Sequence, residues 1–415
     1  MKITKLTGRE VYDSRGIPAL ECELWLDDSV VVRSSVPAGL SCGSHEAYEL
    51  RDKGQRLMGK GVSQAVDKLE HVVAPALIGS EPEVVELDMR MIEIDGTENK
   101  SNLGANVILA ASIAVARAQA LINEIELYEL IASLCDLNSI SVPYPMFNII
   151  NGGMHADTSL PIQEIMIIPA GAQTFRESME LSEEVFHALK TILRKNGKRV
   201  ALGDEGGYAP EVSDVRHAFD MVMEALEVTG GRSRAFLAFD IAASHLYDHN
   251  TSRYRWYDSL LDTDQMIAMY SSWVDAYPVY SIEDGLVEHD VMGWQNLTQT
   301  LKEKVQIIGD DLFVTNPYRI VQGIEQELAT ASIIKPNQIG TVTETLQAIN
   351  LCKEHGLQVV VSHRSGETED NFIVDLAVGT SAGHLKAGGL ARGENISKYN
   401  QLLRIEDSLM MSLLG

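Results

Sequence analysis

Cysteine is scarce: Cys22, Cys42, Cys135 and Cys352 are the four in 415 residues, and no two form a CxxC pair. That scatter excludes a zinc cluster and a disulfide framework and points to a reducing compartment. No run of lysine and arginine is long enough to make a basic patch, and the formal net charge is −25. A nucleic-acid backbone would be repelled, so a small molecule is the expected partner. The longest apolar stretch, Val107 to Ala116, is too short to cross a bilayer, and the opening Met1–Glu10 segment is too polar for a secretory signal. A soluble cytoplasmic protein without membrane contact is expected. There is no Gly-x-Ser-x-Gly elbow and no dinucleotide fingerprint. Gly54 to Lys60 has the glycine spacing of a phosphate loop, but Gly61 stands where Ser or Thr must meet the metal.

What is present is a chain with 45% hydrophobic residues, enough for a large core and, at this length, two domains. Val11 to Val36 alternates apolar and polar residues around a turn at Leu26-Asp-Asp-Ser29, which predicts an antiparallel hairpin. Helical stretches follow at Gly61 to Ile78, Val84 to Ile94 and Asn106 to Ile122, the last rich in alanine. The composition shift near Asp136-Leu-Asn-Ser-Ile divides an α+β cap, residues 1–133, from a barrel-like domain, residues 134–415.

From Leu202 to Lys386 one pattern repeats, a short apolar run that stops on an ionisable residue. The runs end at Asp204-Glu205, Asp240, Glu283-Asp284, Asp310-Asp311, Lys335, His363-Arg364 and Lys386, and the later ones recur every 23 to 28 residues. That is the length of a strand–helix unit, and serial units of this kind predict a closed parallel barrel with its strand ends at one mouth. So many charges at one mouth are costly unless they bind something.

Asp240, Glu283 and Asp310 offer the oxygen ligands that a hard divalent cation such as Mg²⁺ takes. A lone Asp there can equally cap the next helix, but three in succession followed by cationic strand ends favour a metal. Lys335 can serve as a general base if Lys386, Arg364 and a metal push it toward its neutral form; a rim lysine reaching for solvent is the plainer alternative. Ser362-His363-Arg364-Ser365-Gly366 has the donors to grip a phosphate, including backbone amides if a helix starts there. Glu205, in a glycine-rich segment, can act as an acid if burial or a neighbour such as Glu164 raises its pKa. His155 lies early in the same domain; a histidine of this kind is ordinary in a loop.

These stretches also resemble a known family. Asp13-Ser-Arg-Gly16, Gly43-Ser-His-Glu-Ala47, Asn148-Ile-Ile-Asn-Gly-Gly153, Gly203-Asp-Glu-Gly-Gly207, Ser281-Ile-Glu-Asp-Gly285, Gly309-Asp-Asp-Leu312, Lys335-Pro-Asn-Gln-Ile-Gly340 and Ser362-His-Arg-Ser-Gly-Glu-Thr-Glu-Asp370 stand in the order found in enolases. The resemblance covers essentially the whole chain. It implies an α/β fold, a TIM-like (β/α)8 barrel of enolase type whose opening strands depart from simple alternation, under an N-terminal α+β capping domain. It also implies reversible dehydration of 2-phosphoglycerate to phosphoenolpyruvate. A lysine base beside Mg²⁺ is the pattern of that superfamily.

Carried over position by position, Lys335 is the base at C2 and Glu205 the acid at C3, supported by Glu164, with His155 and His363 lining the site. Asp240, Glu283 and Asp310 hold the first Mg²⁺, Ser41 reaches the second, and Gln163, Arg364, Ser365 and Lys386 contact substrate. A homodimer or larger homo-oligomer is implied, with Glu21 and Arg404 matching a pair that meets across the dimer interface. The departures are Ala38, Leu40 and Cys42 where the family has Ser, Ala and Thr; Ala387 for Thr; Ile17 for Asn; and His245 for Glu. They leave two rivals to the glycolytic reading: an enolase-like enzyme of phosphonate metabolism acting on a phosphonylated substrate, and a non-catalytic scaffold.

Overall fold

Alternation near the N-terminus produces not a hairpin but three antiparallel strands, β1 (Ile3–Tyr12), β2 (Pro18–Leu26) and β3 (Val30–Val36). The expected pair is β2 and β3, where Leu20, Cys22, Leu24 and Leu26 point into the core. β1 escapes sequence reading because only Ile3 and Leu6 of it are buried, too few to mark a period of two. At the β2–β3 turn Ser29 N donates to Leu26 O at 3.1 Å, and Asp27 and Asp28 both take left-handed φ, +45° and +58°. Asp tolerates that region better than most residues. The computed structural model describes residues 1–39 and 43–414.

Helix Ala105–Ile122 packs across β2 and β3. By length and composition it could cross a membrane, but it is mostly buried inside the fold. The predicted helix at Gly61 to Ile78 is a run from Ser63 to Leu77 broken by a π turn at Leu69–Val73.

The barrel strands are β4 (Tyr144–Asn151), β5 (Glu164–Ile168) and β6 (Phe236–Asp240), followed, after a small sheet of β7 (Tyr247–Asp248), β8 (Arg253–Trp256) and β9 (Ser259–Leu261), by β10 (Val279–Glu283), β11 (Gln306–Gly309), β12 (Ala331–Ile334), β13 (Gln358–Ser362) and β14 (His384–Lys386). They close in the order β4-β5-β6-β10-β11-β12-β13-β14, with β5 antiparallel to both neighbours and every other pair parallel. The run Val200 to Glu205 is therefore not a barrel strand, contrary to its reading above. Leu202 makes a single bridge to Tyr208, and Glu205 sits in a loop.

Strand periodicity builds the mouth. Met146, Met166, Ala238, Ile308, Ile333 and Val360 form one buried cluster inside the barrel. Side chains two residues along each strand share that face. Asn148, Glu164, Asp240, Asp310, Lys335 and Ser362 thus stand directly above the apolar plug. Because β5 runs backwards, its first residue reaches the mouth, and Glu164 pairs in register with Asp240 at the end of β6.

The cap is tied to the barrel by buried polar contacts. Asp88 accepts from Thr343 N (2.9 Å) and Thr343 Oγ1 (2.7 Å), at the start of helix Val342–Glu354. Ser112 accepts from Val342 N at 2.9 Å, and Arg117 grips Asp370 with two bonds of 2.7 Å.

Candidate active site

The strand ends converge on a cleft lined by His155, Gln163, Glu164, Glu205, Asp240, Asp310, Lys335, His363, Arg364, Ser365 and Lys386. Lys386, at the end of β14, is buried in its floor. Its Nζ lies 3.0 Å from Asp240 Oδ2, 3.0 Å from both oxygens of Glu283 and 3.2 Å from Glu164 Oε2. Burial opposes the charge, but Asp240, Glu164 and Glu283 outweigh it and hold the Lys386 pKa well above its usual value. Glu283 is fully buried, and burial together with Asp240 pushes it up to about 8 despite the ammonium. Three carboxylates around one positive charge make a cage built for a cation. Gln163 Nε2 donates to Asp240 Oδ2 at 3.3 Å.

A second group holds Glu164, Glu205, His155 and His363. His155 Nδ1 lies 3.2 Å from Glu205 Oε2 and 3.6 Å from Glu164 Oε1, and His363 Nε2 lies 3.7 Å from Glu205 Oε1. The sequence reading raised Glu205; the structure raises Glu164 instead, through burial and the charge of Glu205. Burial works to raise Glu205 too, but its histidine neighbours and the hydrogen bond to Glu164 hold it well below the carboxylate range. Burial pushes His363 down to about 3, so it faces Glu205 as a neutral ring. Glu164 is thus pushed toward its neutral form while Glu205 beside it is held toward its anion. Glu205 is further fixed by Asn148 Nδ2 at 3.1 Å and, through its carbonyl oxygen, by Gly389 N at 2.7 Å and Asn395 Nδ2 at 3.0 Å.

Lys335 is ion-paired with Asp310. Burial pulls its pKa down, with Arg364 and Lys386 acting the same way, yet the Asp310 carboxylate prevails and the pKa is raised. The expected push toward neutrality is therefore absent while this pair stands. Asp310 Oδ1 also accepts from Gln338 Nε2 at 3.0 Å, and Thr315 Oγ1 accepts from Lys335 N at 2.8 Å. Asp284 turns back with φ +44° and accepts from the backbone N of Asp310 (2.8 Å) and Asp311 (2.9 Å).

Among the described residues, two groups have ligand atoms all within 4.8 Å of one another and could hold a metal: Asp284 with Asp310 and Asp311, and His155 with Glu164 and Glu205. Asp240 and Glu283 surround Lys386 instead. The all-oxygen donor set of Asp240, Glu283 and Asp310 fits a hard cation such as Mg²⁺. Ser41, with Leu40 and Cys42, lies outside the described residues.

The segment expected to grip a phosphate runs from the end of β13 into a loop; the next helix begins only at Phe372, and Gly366 N donates to Ala38 O at 2.9 Å. No helix start therefore presents amides there. Arg364 is held by Glu46 of the cap, through bonds of 2.9 and 3.1 Å, and by Asn337 Oδ1 at 2.9 Å. Glu367 accepts from Arg364 N at 3.0 Å and pairs with the fully buried Lys398 at 2.8 Å. Glu46, Asn337, Gln338 and Asn148 were given no role on sequence, although each belongs to a motif singled out there; Lys398 lies outside those motifs. The signal was a polar residue within a few positions of a chemical one.

Two family models match the chain. Enolase, N-terminal domain covers residues 3–131, and Enolase, C-terminal TIM barrel domain covers residues 139–413. The chain belongs to the enolase family. It is accordingly an enolase-like enzyme of lyase type, with the family's barrel closed around acidic groups that could bind a metal. Ala387, where enolases usually carry Thr, follows Lys386 in the chain and is fully buried. His245, in place of a Glu, lines the cleft beside Ala242.

Proposed function

We propose that this enolase-family protein catalyses the reversible Mg²⁺-dependent dehydration of 2-phosphoglycerate to phosphoenolpyruvate. The single observation that carries the reading is a carboxylate cage, Asp240, Glu283 and Glu164, closed around the Lys386 ammonium, with Lys335 in the same cleft and the buried Glu164–Glu205 pair alongside. Abstraction of a proton next to a carboxylate places two negative charges on one group, which only concentrated positive charge stabilises.

Asp240, Glu283 and Asp310 are the residues that would hold Mg²⁺, with Ser41 expected to reach a second ion. A bound divalent cation supplies positive charge against the substrate carboxylate. Lys335 takes the C2 proton. Asp310 favours its charged form, so it acts as a base only when that carboxylate is otherwise engaged and Arg364 and Lys386 dominate its surroundings. The Glu164–Glu205 pair delivers a proton to the departing hydroxide at C3, with His155 and His363 orienting it. Gln163, Arg364, Ser365 and Lys386 grip the anionic ends of the substrate. The enzyme works in the cytoplasm as a homodimer or larger homo-oligomer.

A second reading has its own support in Ala387, a buried alanine next to a substrate-gripping lysine where a hydroxyl is usual. It makes the protein an enolase-like enzyme of phosphonate metabolism acting on a phosphonylated analogue. One assay separates the two. Incubation with 2-phosphoglycerate and saturating Mg²⁺ in deuterated water is expected to show C2 exchange and formation of the enol phosphate. A folded, Mg²⁺-binding protein that does neither with 2-phosphoglycerate, but exchanges a phosphonate analogue, reverses the choice.

A further inference from the structure

Arg364 grips substrate in the reading above, yet it meets a carboxylate first. Glu46 Oε2 accepts from Arg364 Nη1 at 2.9 Å and Glu46 Oε1 from Nη2 at 3.1 Å. Both side chains are buried, 8% and 4% exposed, although both border the cleft. Glu46 comes from the cap and Arg364 from the barrel. Each is independently fixed. Glu46 Oε1 accepts from Gly43 N at 2.9 Å and Gln338 Nε2 at 3.4 Å. Arg364 is held by Asn337 Oδ1 at 2.9 Å and, through its backbone, by the Glu367–Lys398 pair.

The guanidinium therefore does not depend on Glu46 for its orientation. What Glu46 adds is a negative charge at hydrogen-bond distance in a water-poor setting, where such a charge acts strongly. We propose that Glu46 is the specificity-determining carboxylate of the cleft: a ligand must displace it from Arg364, and so must offer more charge than a carboxylate does. A monoanionic carboxylate gains little by replacing another carboxylate. A phosphoryl dianion, with more charge and a further acceptor oxygen, does gain. A chain of net charge −25 thus discriminates among small anions at one arginine rather than through its overall field. The inference rests on the cleft being a site for a phosphorylated acid.

The test is isothermal titration of the full chain, in Mg²⁺, with inorganic phosphate and separately with acetate, comparing wild type, Glu46→Gln and the double variant E46Q/R364Q. In Glu46→Gln the phosphate Kd is expected to fall about tenfold, acetate binding to become measurable, and KM for phosphoenolpyruvate to fall without a rise in kcat. The double variant is expected to abolish the gain, which shows that Glu46 acts through Arg364. If Glu46→Gln binds phosphate no more tightly than wild type, Glu46 is only a brace and the proposal fails. Should that variant not fold cooperatively, Glu46→Asp, whose shorter reach loosens the pair, is expected to tighten phosphate by a few-fold, and an unchanged or weaker Kd overturns the idea equally. Phosphate binding needs no turnover. A wild type that lacks C2 exchange sinks the proposed reaction, whereas an active wild type with unchanged phosphate affinity in Glu46→Gln sinks only this inference.

Discussion

Lys386 Nζ sits 3.0 Å from each carboxylate oxygen of Glu283, both side chains buried at the floor of the cleft. Removing the ammonium leaves Glu283, Asp240 and Glu164 facing one another without a counter-charge. Lys386→Met is therefore expected to lose about 3–5 kcal/mol of stability without metal, the usual cost of breaking a buried pair from one side. Mg²⁺ is expected to restore much of that loss, because a ligand bound only by the folded state stabilises it. Thermal melts with and without Mg²⁺ decide the matter, and a larger metal-induced rise in Tm for the variant than for wild type is the expected result.

Lys335→Ala keeps every metal carboxylate but removes the proposed base. C2 exchange is expected to drop by a factor on the order of 10²–10⁴, the usual contribution of a positioned base, while Mg²⁺ affinity persists. Retained exchange in that variant would remove Lys335 from the chemistry.

Glu205→Gln separates the two proton transfers. Its side chain serves C3, not C2, so deuterium exchange at C2 is expected to continue while dehydration falls by a factor on the order of 10²–10⁴. Parallel loss of both activities places Glu205 in substrate binding instead.

Asp88, fully buried at the junction of cap and barrel, is pushed up by burial to about 6 although Thr343 and Ser112 hydrogen bonds pull it down. A carboxyl group raised above its unfolded value stabilises the fold while protonated. Its contribution is fully present below pH about 4 and is lost as pH rises through about 6. The difference is about 3 kcal/mol at the usual 1.36 kcal/mol per pKa unit. Asp88→Asn mimics the protonated group and can still accept from Thr343. It is expected to be more stable than wild type at neutral pH, with the gap closing toward pH 4 in denaturant titrations.

The order and type of the chemical groups were legible in sequence, because a parallel strand delivers its last residue to the mouth whatever else surrounds it. Asp240, Glu283, Asp310, Lys335, His363 and Lys386 all stand at such ends. Glu164 and Glu205 were harder. Glu164 reaches the mouth from the beginning of an antiparallel strand, and Glu205 comes from a loop that only imitates a strand end. Strand direction is a property of pairing, which a single run of residues does not encode.

Sequence alone determined which ions could gather here: local periodicity of two and a repeat of strand–helix length already place acids before bases along the barrel. Tertiary structure alone decided the charge balance, with Glu164 rather than Glu205 pushed toward neutrality, Lys335 favoured in its charged form by Asp310, and Arg364 closed upon Glu46 from the other domain. Charge state depends on burial and on neighbours within a few ångströms, and those neighbours lie far apart in the chain.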